Sequence, residues 1–351
     1  MSSDSQIECV NDVVIIGAGF SGLTMACQLQ WKLNHFDYVI YERSAEIDPR
    51  CAVDIPAACY SLSFAPNAEF TKFFPSQKEV LLYIWKVADK YNIHPHVFCN
   101  VECEGCTILH ECKILISAVG ALVNPKPFSL PGTDLFQGPI IYTARWPQDA
   151  VLHGKNIVVT PQYYIPSRNV NIGSAWRNLF LYVPGVLLIL RLIIFLYLET
   201  ASFMFGLDVR SKKLRHHYED HISLTDNPIT AVKKHSILTR LGKEYPADVI
   251  DTNICGRNGR SQSDHWKSYG CIEAYHSITM SGFPNFFYIL GPNSGRGHTS
   301  TIYVIESYTT QVLRIVTPLE IEKTIWATSC TSYFIDSETG KNWFIYPWSS
   351  F

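Results

Sequence analysis

One glycine-rich segment constrains the fold of this chain more than any other feature. Gly17-Ala-Gly19-Phe-Ser-Gly22 follows a short apolar run at residues 12–16 and precedes residues 21–33, where apolar side chains recur at helical spacing. A second strand is predicted at Tyr38–Tyr41. A strand that ends in a glycine-rich turn, followed by a helix and another strand, is the opening of a doubly wound α/β domain.

The glycines of this turn, together with an acidic residue after the second strand, predict a dinucleotide site. Gly17 permits the tight turn, Gly19 lets the backbone approach a pyrophosphate, and Gly22 lets the helix pack on the sheet. The helix N-terminus offers free N–H groups to the phosphates. Glu42 lies about 20 residues beyond the last glycine, the spacing of an acid that binds ribose hydroxyls. The motif alone does not separate FAD from NAD, and a tight turn without a ligand is the alternative.

Composition excludes several classes of protein. The 351 residues are 47% hydrophobic and 17% charged, which excludes a disordered chain. The formal net charge of −2 gives no support to nucleic-acid binding. Residues 1–8 have neither the basic nor the apolar part of a signal peptide, and the 11 cysteines are an odd number. We therefore expect free thiols and a cytoplasmic location.

Further along the chain, the pattern alternates between strands, helices and loops. Residues 54–75 are predicted to be an irregular loop, and residues 79–91 an amphipathic helix. A helix is also predicted to start near Thr299 and to run towards Ile315. The other predicted strands are Lys113–Ser117, Lys155–Val159, Ala247–Ile250 and Asn285–Leu290.

Leu179–Leu198 is the most hydrophobic stretch of the sequence. Its length suits a bilayer span of about 20 residues, but it contains Pro184 near its start and Arg191 near its middle. Two interpretations stay open: contact with a membrane, and a buried or interfacial helix.

Along nearly its whole length the sequence resembles the flavin-containing monooxygenases, and among them the Baeyer–Villiger branch. This resemblance implies an FAD in the glycine-rich site and NADPH as reductant. It also implies a small organic substrate, a ketone or a soft heteroatom compound, and oxygen. The segments that carry it are residues 13–23, 41–44, 53–56, 60–64, 73–77, 115–120, 282–287 and 291–294.

The resemblance also implies roles for individual residues. In this family a flavin peroxide oxygenates the substrate, and an arginine held by a carboxylate stabilises the negative charge; Arg168 and Asp54 match that catalytic pair. The residues implied to bind FAD are Gly17, Ala18, Gly19, Phe20, Ser21, Gly22, Glu42, Arg43, Asp54, Tyr60 and Asn293.

The sequence departs from the family pattern in identifiable blocks. The Baeyer–Villiger fingerprint is present from Phe136 to Pro147, but Tyr142 replaces its histidine. The strand at residues 155–159 leads directly to Pro161, without the second glycine-rich turn that seats NADPH. Blocks are also missing after residue 50, around residues 102–110 and after Ile250. Two hypotheses follow: an NADPH-linked monooxygenase, and a catalytically impaired flavin-binding or membrane-associated remnant.

The predicted architecture is one doubly wound FAD-binding domain with a truncated second domain inserted in it. Residues 1–125 and 251–351 are expected to form the FAD domain. Residues 126–250 are expected to form the truncated NADPH-type domain, with a helical insertion at 175–220. The pair Cys103 and Cys106 has no second pair to complete a zinc site, so no metal is predicted.

Overall fold

The computed structural model describes about half of the chain, including the glycine-rich turn and the strand and helix on either side of it. The described residues are 7–47, 55–101, 108–120, 135, 137–138, 169–201, 254–270, 272, 274–292, 294 and 300–316. The predicted strands at 155–159 and 247–250 lie outside them, as does most of the predicted second domain.

The described strands form one five-stranded parallel sheet, ordered β3-β2-β1-β4-β5. From β1 the chain moves outward to β2 and β3, and then returns to the other side of β1 to form β4. This reversal makes the carboxyl ends of β1 and β4 the point at which ligands bind in such sheets. The strands are β1 (Ile7–Ile16), β2 (Tyr38–Tyr41), β3 (Val97–Phe98), β4 (Ile108–Ser117) and β5 (Phe286–Tyr288).

Six α-helices are described. They are α1 (Phe20–Leu33), α2 (Gln77–Lys90), α3 (Ser174–Tyr182), α4 (Val186–Ala201), α5 (Gln262–Tyr269) and α6 (Thr301–Val316). Helix α1 packs against α6. Ile15, Leu23, Ile40, Ile116 and Val312 are completely buried in the core that the sheet and these helices share. The predicted doubly wound α/β fold is confirmed.

Among the described residues, the predicted strands and helices of the FAD domain agree with the structure except at their ends, whereas β3 and α5 were not predicted. Strand β2 has the predicted bounds, whereas β1 and β4 each start five residues earlier than predicted. The two strands pair from Ile7 with Ile108 to Ile16 with Ser117. Val10, in the early part of β1, is 71% exposed, so no buried apolar pattern marks this part of the ladder.

The most hydrophobic stretch forms two helices instead of one. Helices α3 and α4 meet at 106°, and the break contains Pro184 and Gly185, whose φ is +87°. In the described part of the chain, no helix taken singly has both the length and the apolarity needed to cross a bilayer. The pair meets the criterion only when its two helices are taken together.

Helices α3 and α4 are attached to the irregular loop between β2 and α2. Phe73 N donates to Val170 O at 2.9 Å, and Ile172 N donates to Thr71 O at 2.7 Å. The Phe195 ring lies 4.9 Å from that of Tyr303 in α6. Within the predicted insertion, residues 174–182 and 186–201 are helical, and residues 202–220 lie outside the described part.

Candidate functional site

The turn between β1 and α1 has a backbone that only glycine fits at its first position. Gly17 has φ +103°, and its N–H donates to the carbonyl of Tyr41 at 2.7 Å. A Cβ at this position would lie 2.6 Å from the carbonyl oxygen of Ala118. The turn is thus closed against β2 on one side and against the end of β4 on the other.

The other two glycines of the motif differ in what surrounds them. A Cβ on Gly22 would lie 2.0 Å from the carbonyl oxygen of Gly17, so the first turn of α1 packs directly on the loop. A Cβ on Gly19 would meet no heavy atom within 4 Å. Gly19 therefore borders open space, in which a pyrophosphate can approach the backbone.

The N-terminus of α1 keeps its donors for a ligand. Gly19 is the N-cap residue and has no side chain to accept a hydrogen bond, and the first turn contains no acidic residue. The first N–H groups of a helix have no partner inside the helix, and they carry a partial positive charge. Phe20, Ser21 and Gly22 are buried in this turn, so these predicted FAD residues lie together.

Glu42 lies against the same turn. Its Oε2 accepts from Ala18 N at 2.7 Å, and its Oε1 accepts from Ser44 N at 2.9 Å. Each carboxylate oxygen has a second lone pair that can accept from a hydroxyl. The carboxylate thus lies where a ribose next to the pyrophosphate would reach it. Arg43, the next predicted residue, is partly buried beside Glu42.

Tyr60 is brought to the start of α1 from a distant part of the sequence. It is 7% exposed, and its ring packs edge-on against that of Phe20, with centroids 5.4 Å apart. The loop that carries Tyr60 is tied to α6, because Ser300 Oγ donates to the carbonyl of Cys59 at 2.8 Å. Nine predicted FAD residues therefore lie around one turn. They are Gly17, Ala18, Gly19, Phe20, Ser21, Gly22, Glu42, Arg43 and Tyr60.

The remaining predicted residues are not described by the structure. Asp54, Arg168 and Asn293 lie outside the described residues, as does Tyr142. Their roles stay predictions.

The thiols and histidines near the site do not form a nucleophilic or metal centre among the described residues. Burial raises the pKa of the Cys27 thiol in α1 to about 12, which keeps it neutral. Burial also lowers the pKa of His110, whose Nδ1 lies 2.8 Å from the hydroxyl of Tyr41. Within the described ranges, no three His, Cys, Asp or Glu side chains come together as metal ligands. Cys103 and Cys106 are outside those ranges.

The sequence did not predict an apolar cavity of about 280 Å³ between the loop after β2 and the α3–α4 pair. Its wall includes Phe70 and Phe73 from the loop, and Trp176, Phe180 and Leu190 from the helices. Its lining comes from two segments that are more than 90 residues apart. The sequence shows the apolar residues of each segment, but it does not show that the two segments pack together.

Comparison with known proteins gives relatives that match along nearly the whole chain. The chain is 24% identical to a Baeyer–Villiger monooxygenase of Streptomyces coelicolor, over 99% of this chain and 91% of the relative. It is 25% identical to a Baeyer–Villiger monooxygenase of Pseudomonas aeruginosa, over 95% of this chain and 87% of the relative. It is 31% identical to the FAD-binding monooxygenase moxY of Dothistroma septosporum over a shorter stretch, which covers 39% of this chain and 27% of the relative. No protein-family model matches the chain.

The solved structures agree on the fold. A steroid monooxygenase bound to NADP has a TM-score of 0.66 and 19% identity, over 89% of this chain and 86% of that chain. Cyclohexanone monooxygenase from Rhodococcus sp. Phi1, bound to NADP+, has a TM-score of 0.65 and 19% identity, over 90% of this chain and 85% of that chain.

The same comparisons confirm that the chain is shortened internally. The alignment to the Streptomyces relative has 474 positions, whereas this chain has 351 residues. More than 120 of those positions therefore lack a residue of this chain. With the glycine-rich turn, the parallel sheet and relatives that match from one end to the other, this chain is similar to the Baeyer–Villiger and FAD-binding monooxygenases.

Proposed function

We propose that this chain is an FAD-dependent, NADPH-linked monooxygenase of the Baeyer–Villiger or N,N-dimethylaniline type. Its substrate is a small organic molecule, a ketone or a soft heteroatom compound, which it oxygenates with molecular oxygen. The observation that carries the proposal is the turn at Gly17–Gly22, open at Gly19 and joined to the Glu42 carboxylate through Ala18 N.

The residues of this turn fit the adenosine end of FAD. Backbone N–H groups at the start of α1 would bind the pyrophosphate, and Glu42 would bind the ribose hydroxyls. FAD, when bound, supplies the redox chemistry. The protein contributes a fixed position through the packing of Gly22 on Gly17 and of Tyr60 on Phe20.

The catalytic pair stays part of the proposal. A guanidinium at Arg168, held by the Asp54 carboxylate, would stabilise negative charge on the reacting oxygen. Arginine suits this role because it stays charged over the working pH range and binds a carboxylate through two hydrogen bonds. The proposed location is cytoplasmic.

Two sequence features favour a second candidate function, a flavin-binding protein that has lost NADPH-linked turnover. The sequence directly after Thr160 contains no second glycine-rich motif, and more than 120 positions of the alignment lack a residue of this chain. A monooxygenase of this type needs a hydride donor seated against the flavin, so these two features bear directly on turnover.

An anaerobic spectroscopic titration separates the two functions. The purified chain is expected to carry FAD absorbance, and that absorbance is expected to bleach when NADPH is added without oxygen. A yellow protein that keeps its colour in NADPH would support the flavin-binding remnant instead. A colourless protein that does not take up added FAD would refute both. The variant Gly19→Ala serves as the control, because it fills the space proposed for the pyrophosphate.

A further inference from the structure

Arg191 is the basic residue of α4, and it lies inside an apolar run from Val186 to Leu198. Leu187 is four residues before it and Ile194 three residues after it, and both line the cavity between α4 and the loop after β2. Residues at these spacings share one face of a helix, so Arg191 lies on the inward face. A charge in apolar surroundings costs free energy unless it has partners, and the partners of this guanidinium indicate its role.

The partners of Arg191 lie directly after Tyr60. Its Nη1 donates to Ser61 Oγ and to the carbonyl oxygen of Leu62, each at 3.3 Å. Ser61 and Leu62 are completely buried. They belong to residues 60–65, which form neither a helix nor a strand and which we call the Tyr60 segment. The guanidinium thus joins α4 to the segment that carries a predicted FAD residue.

Side chains from two other helices also hold the backbone of the Tyr60 segment. The hydroxyl of Tyr83, in α2, accepts from Leu62 N at 2.7 Å and donates to the carbonyl of Ala65 at 2.8 Å. Glu306, in α6, accepts from Ser63 N at 2.7 Å. Backbone groups that are shielded from water need partners, and this segment obtains several of them from side chains because it has no helix or strand to supply them. Its conformation therefore depends on those side chains.

The Tyr60 segment borders the proposed FAD site. The Tyr60 ring packs edge-on against that of Phe20, with centroids 5.4 Å apart. Phe20 is the first residue of α1, directly after Gly19, where the pyrophosphate is proposed to approach the backbone. A displacement of the segment would therefore change the packing beside the N–H groups that are proposed to bind the cofactor.

Arg191 differs from Tyr83 and Glu306 in the part of the chain that supplies it. Tyr83 and Glu306 belong to the predicted FAD domain, whereas Arg191 belongs to the predicted insertion. Helix α4 also packs against the short turn Ala57–Cys59, directly before the Tyr60 segment. The insertion is therefore in contact with the chain on both sides of Tyr60.

We propose that Arg191 is a positioning residue for FAD. From α4 it fixes the Tyr60 segment, and through that segment it holds Tyr60 against the turn at Gly17–Gly22. The inference rests on the proposed function, since it adds a residue to the support of the proposed FAD site. It also gives the insertion a role in cofactor binding, which its distance in sequence from the glycine-rich turn does not suggest.

A fluorescence titration of the full chain with FAD tests this inference. Arg191→Met removes the hydrogen bonds but keeps a long side chain, and it is expected to weaken FAD binding about tenfold, because a charged donor is lost. Arg191→Lys keeps a positive donor and is expected to restore part of the affinity. Lys32→Met is the matched control: Lys32 Nζ also donates to a hydroxyl at 3.3 Å, that of Thr310, but it lies in the last turn of α1. Its replacement is expected to leave the affinity unchanged.

A double-mutant cycle with Tyr60 separates positioning from general stabilisation. Tyr60→Leu removes the ring that packs against Phe20. If Arg191 acts through Tyr60, Arg191→Met should weaken FAD binding less than about twofold in the Tyr60→Leu protein. Two independent effects would instead multiply, and the second substitution would again cost about tenfold. Urea unfolding of the ligand-free variants measures any change in stability separately.

The outcomes distinguish this inference from the proposed function. The inference alone is overturned if the wild type binds FAD and Arg191→Met binds it equally tightly, or if the losses from Arg191→Met and Tyr60→Leu multiply. A loss of affinity in Lys32→Met as large as that in Arg191→Met would also overturn it. A wild type that does not take up FAD would refute the proposed function and this inference together. Arg191→Lys is taken through the same cycle, so the result does not depend on how well the methionine variant folds.

Discussion

Gly19 and Gly22 occupy the same turn, yet a methyl group meets different surroundings at the two positions. At Gly22 it would lie 2.0 Å from a backbone oxygen, whereas at Gly19 it would meet nothing within 4 Å. We therefore expect Gly22→Ala to lower both stability and FAD affinity, by several kcal/mol for stability since backbone must move. Gly19→Ala should keep the stability of the ligand-free protein and lose FAD affinity, because the methyl group occupies the space of the pyrophosphate.

Thermal unfolding without ligand and a titration with FAD measure these two effects separately. The two variants can be compared directly, because each adds one methyl group to the same turn, at positions three residues apart. If Gly19→Ala bound FAD as tightly as the wild type, the pyrophosphate would not lie at this turn, and the proposed orientation of the cofactor would be wrong.

Thr309 illustrates a polar atom that the fold buries without a partner. Its side chain is completely buried in α6, and its Oγ1 has no hydrogen-bond partner among the described residues. Thr309→Val replaces the hydroxyl with a methyl group of similar size and helix propensity. We expect the free energy of unfolding to rise by about 1 kcal/mol, because the desolvation cost of the hydroxyl disappears. Chemical denaturation measures the change.

The neighbouring threonine provides the control. Thr310 Oγ1 accepts a hydrogen bond from Lys32 Nζ at 3.3 Å, so Thr310→Val removes an interaction instead of an unpaired group. It is expected to leave stability unchanged or slightly reduced. A stabilisation of the same size in both variants would show that the gain comes from valine itself and not from the buried hydroxyl.

At the scale of elements, the start of α2 depends on one carboxylate. Glu79 Oε1 accepts from the backbone N–H and the hydroxyl of Thr71, at 2.8 and 2.7 Å. Its Oε2 accepts from the backbone N–H of Ser76, the N-cap residue, at 3.0 Å. Burial alone raises the pKa of Glu79, but these hydrogen bonds outweigh it and hold the pKa below the ordinary 4.5.

The stabilisation from Glu79 is therefore expected to depend on pH. A carboxyl with a lowered folded-state pKa stabilises the protein above its unfolded pKa, and the contribution is lost as the pH falls through the folded-state value. Glu79→Gln should lower the free energy of unfolding by about 1 kcal/mol near pH 7. The difference from the wild type should shrink as the pH falls below about 4.5.

Urea unfolding at several pH values checks this expectation. Glu69→Gln is the control, because Glu69 forms an exposed ion pair with Lys86; such pairs contribute little to stability. A difference between Glu79→Gln and the wild type that stays constant down to pH 3 would contradict the proposed role of the carboxylate charge.

The sequence predicted elements best where one buried face sets the pattern. The turn at Gly17–Gly22 was predictable because its glycines meet steric requirements, and strand β2 was predictable because its side chains are apolar and buried. Helix α5 was not predicted, since Gln262–Tyr269 has no apolar stripe. A capping signal was nevertheless present: Ser261 Oγ accepts from Asp264 N at 3.1 Å, and serine three residues before an acid is a helix-start pattern.

The residues of the candidate site also differ in how well the sequence predicts their positions. Glu42 could be found from its spacing to the glycines, because β2 fixes the distance between them. Tyr60 could be found only through the resemblance, since its approach to Phe20 depends on a loop without regular structure. The bend at Gly185 was indicated by Pro184, but the direction in which the two helices turn depends on their packing against the loop after β2.

At the scale of the whole molecule, cofactor binding should report whether the shortened chain retains a complete site. A ligand that binds only the folded state at about 1,000 times its Kd adds about 4 kcal/mol to stability. We therefore expect FAD to raise the unfolding temperature by several degrees. NADPH added to the FAD-loaded protein should raise it further if a nicotinamide site is present.

Differential scanning fluorimetry with FAD, and then with both cofactors, measures this linkage. Gly19→Ala is the negative control for FAD. A shift with FAD and none with NADPH would support the flavin-binding remnant, whereas no shift with FAD would contradict the proposed site.

The position of β5 at the edge of the sheet, as far as the structure describes it, also affects how the chain is made. Strand β5 pairs with Leu115–Ser117 of β4, and the helix that follows it, α6, packs against α1. During translation, β1, β2 and β4 leave the ribosome long before β5 and α6. Until then the edge of β4 and the apolar side of α1 lack their partners, and an unpaired strand edge recruits other chains. We therefore expect the nascent protein to depend on chaperones until its last described helix has been synthesised.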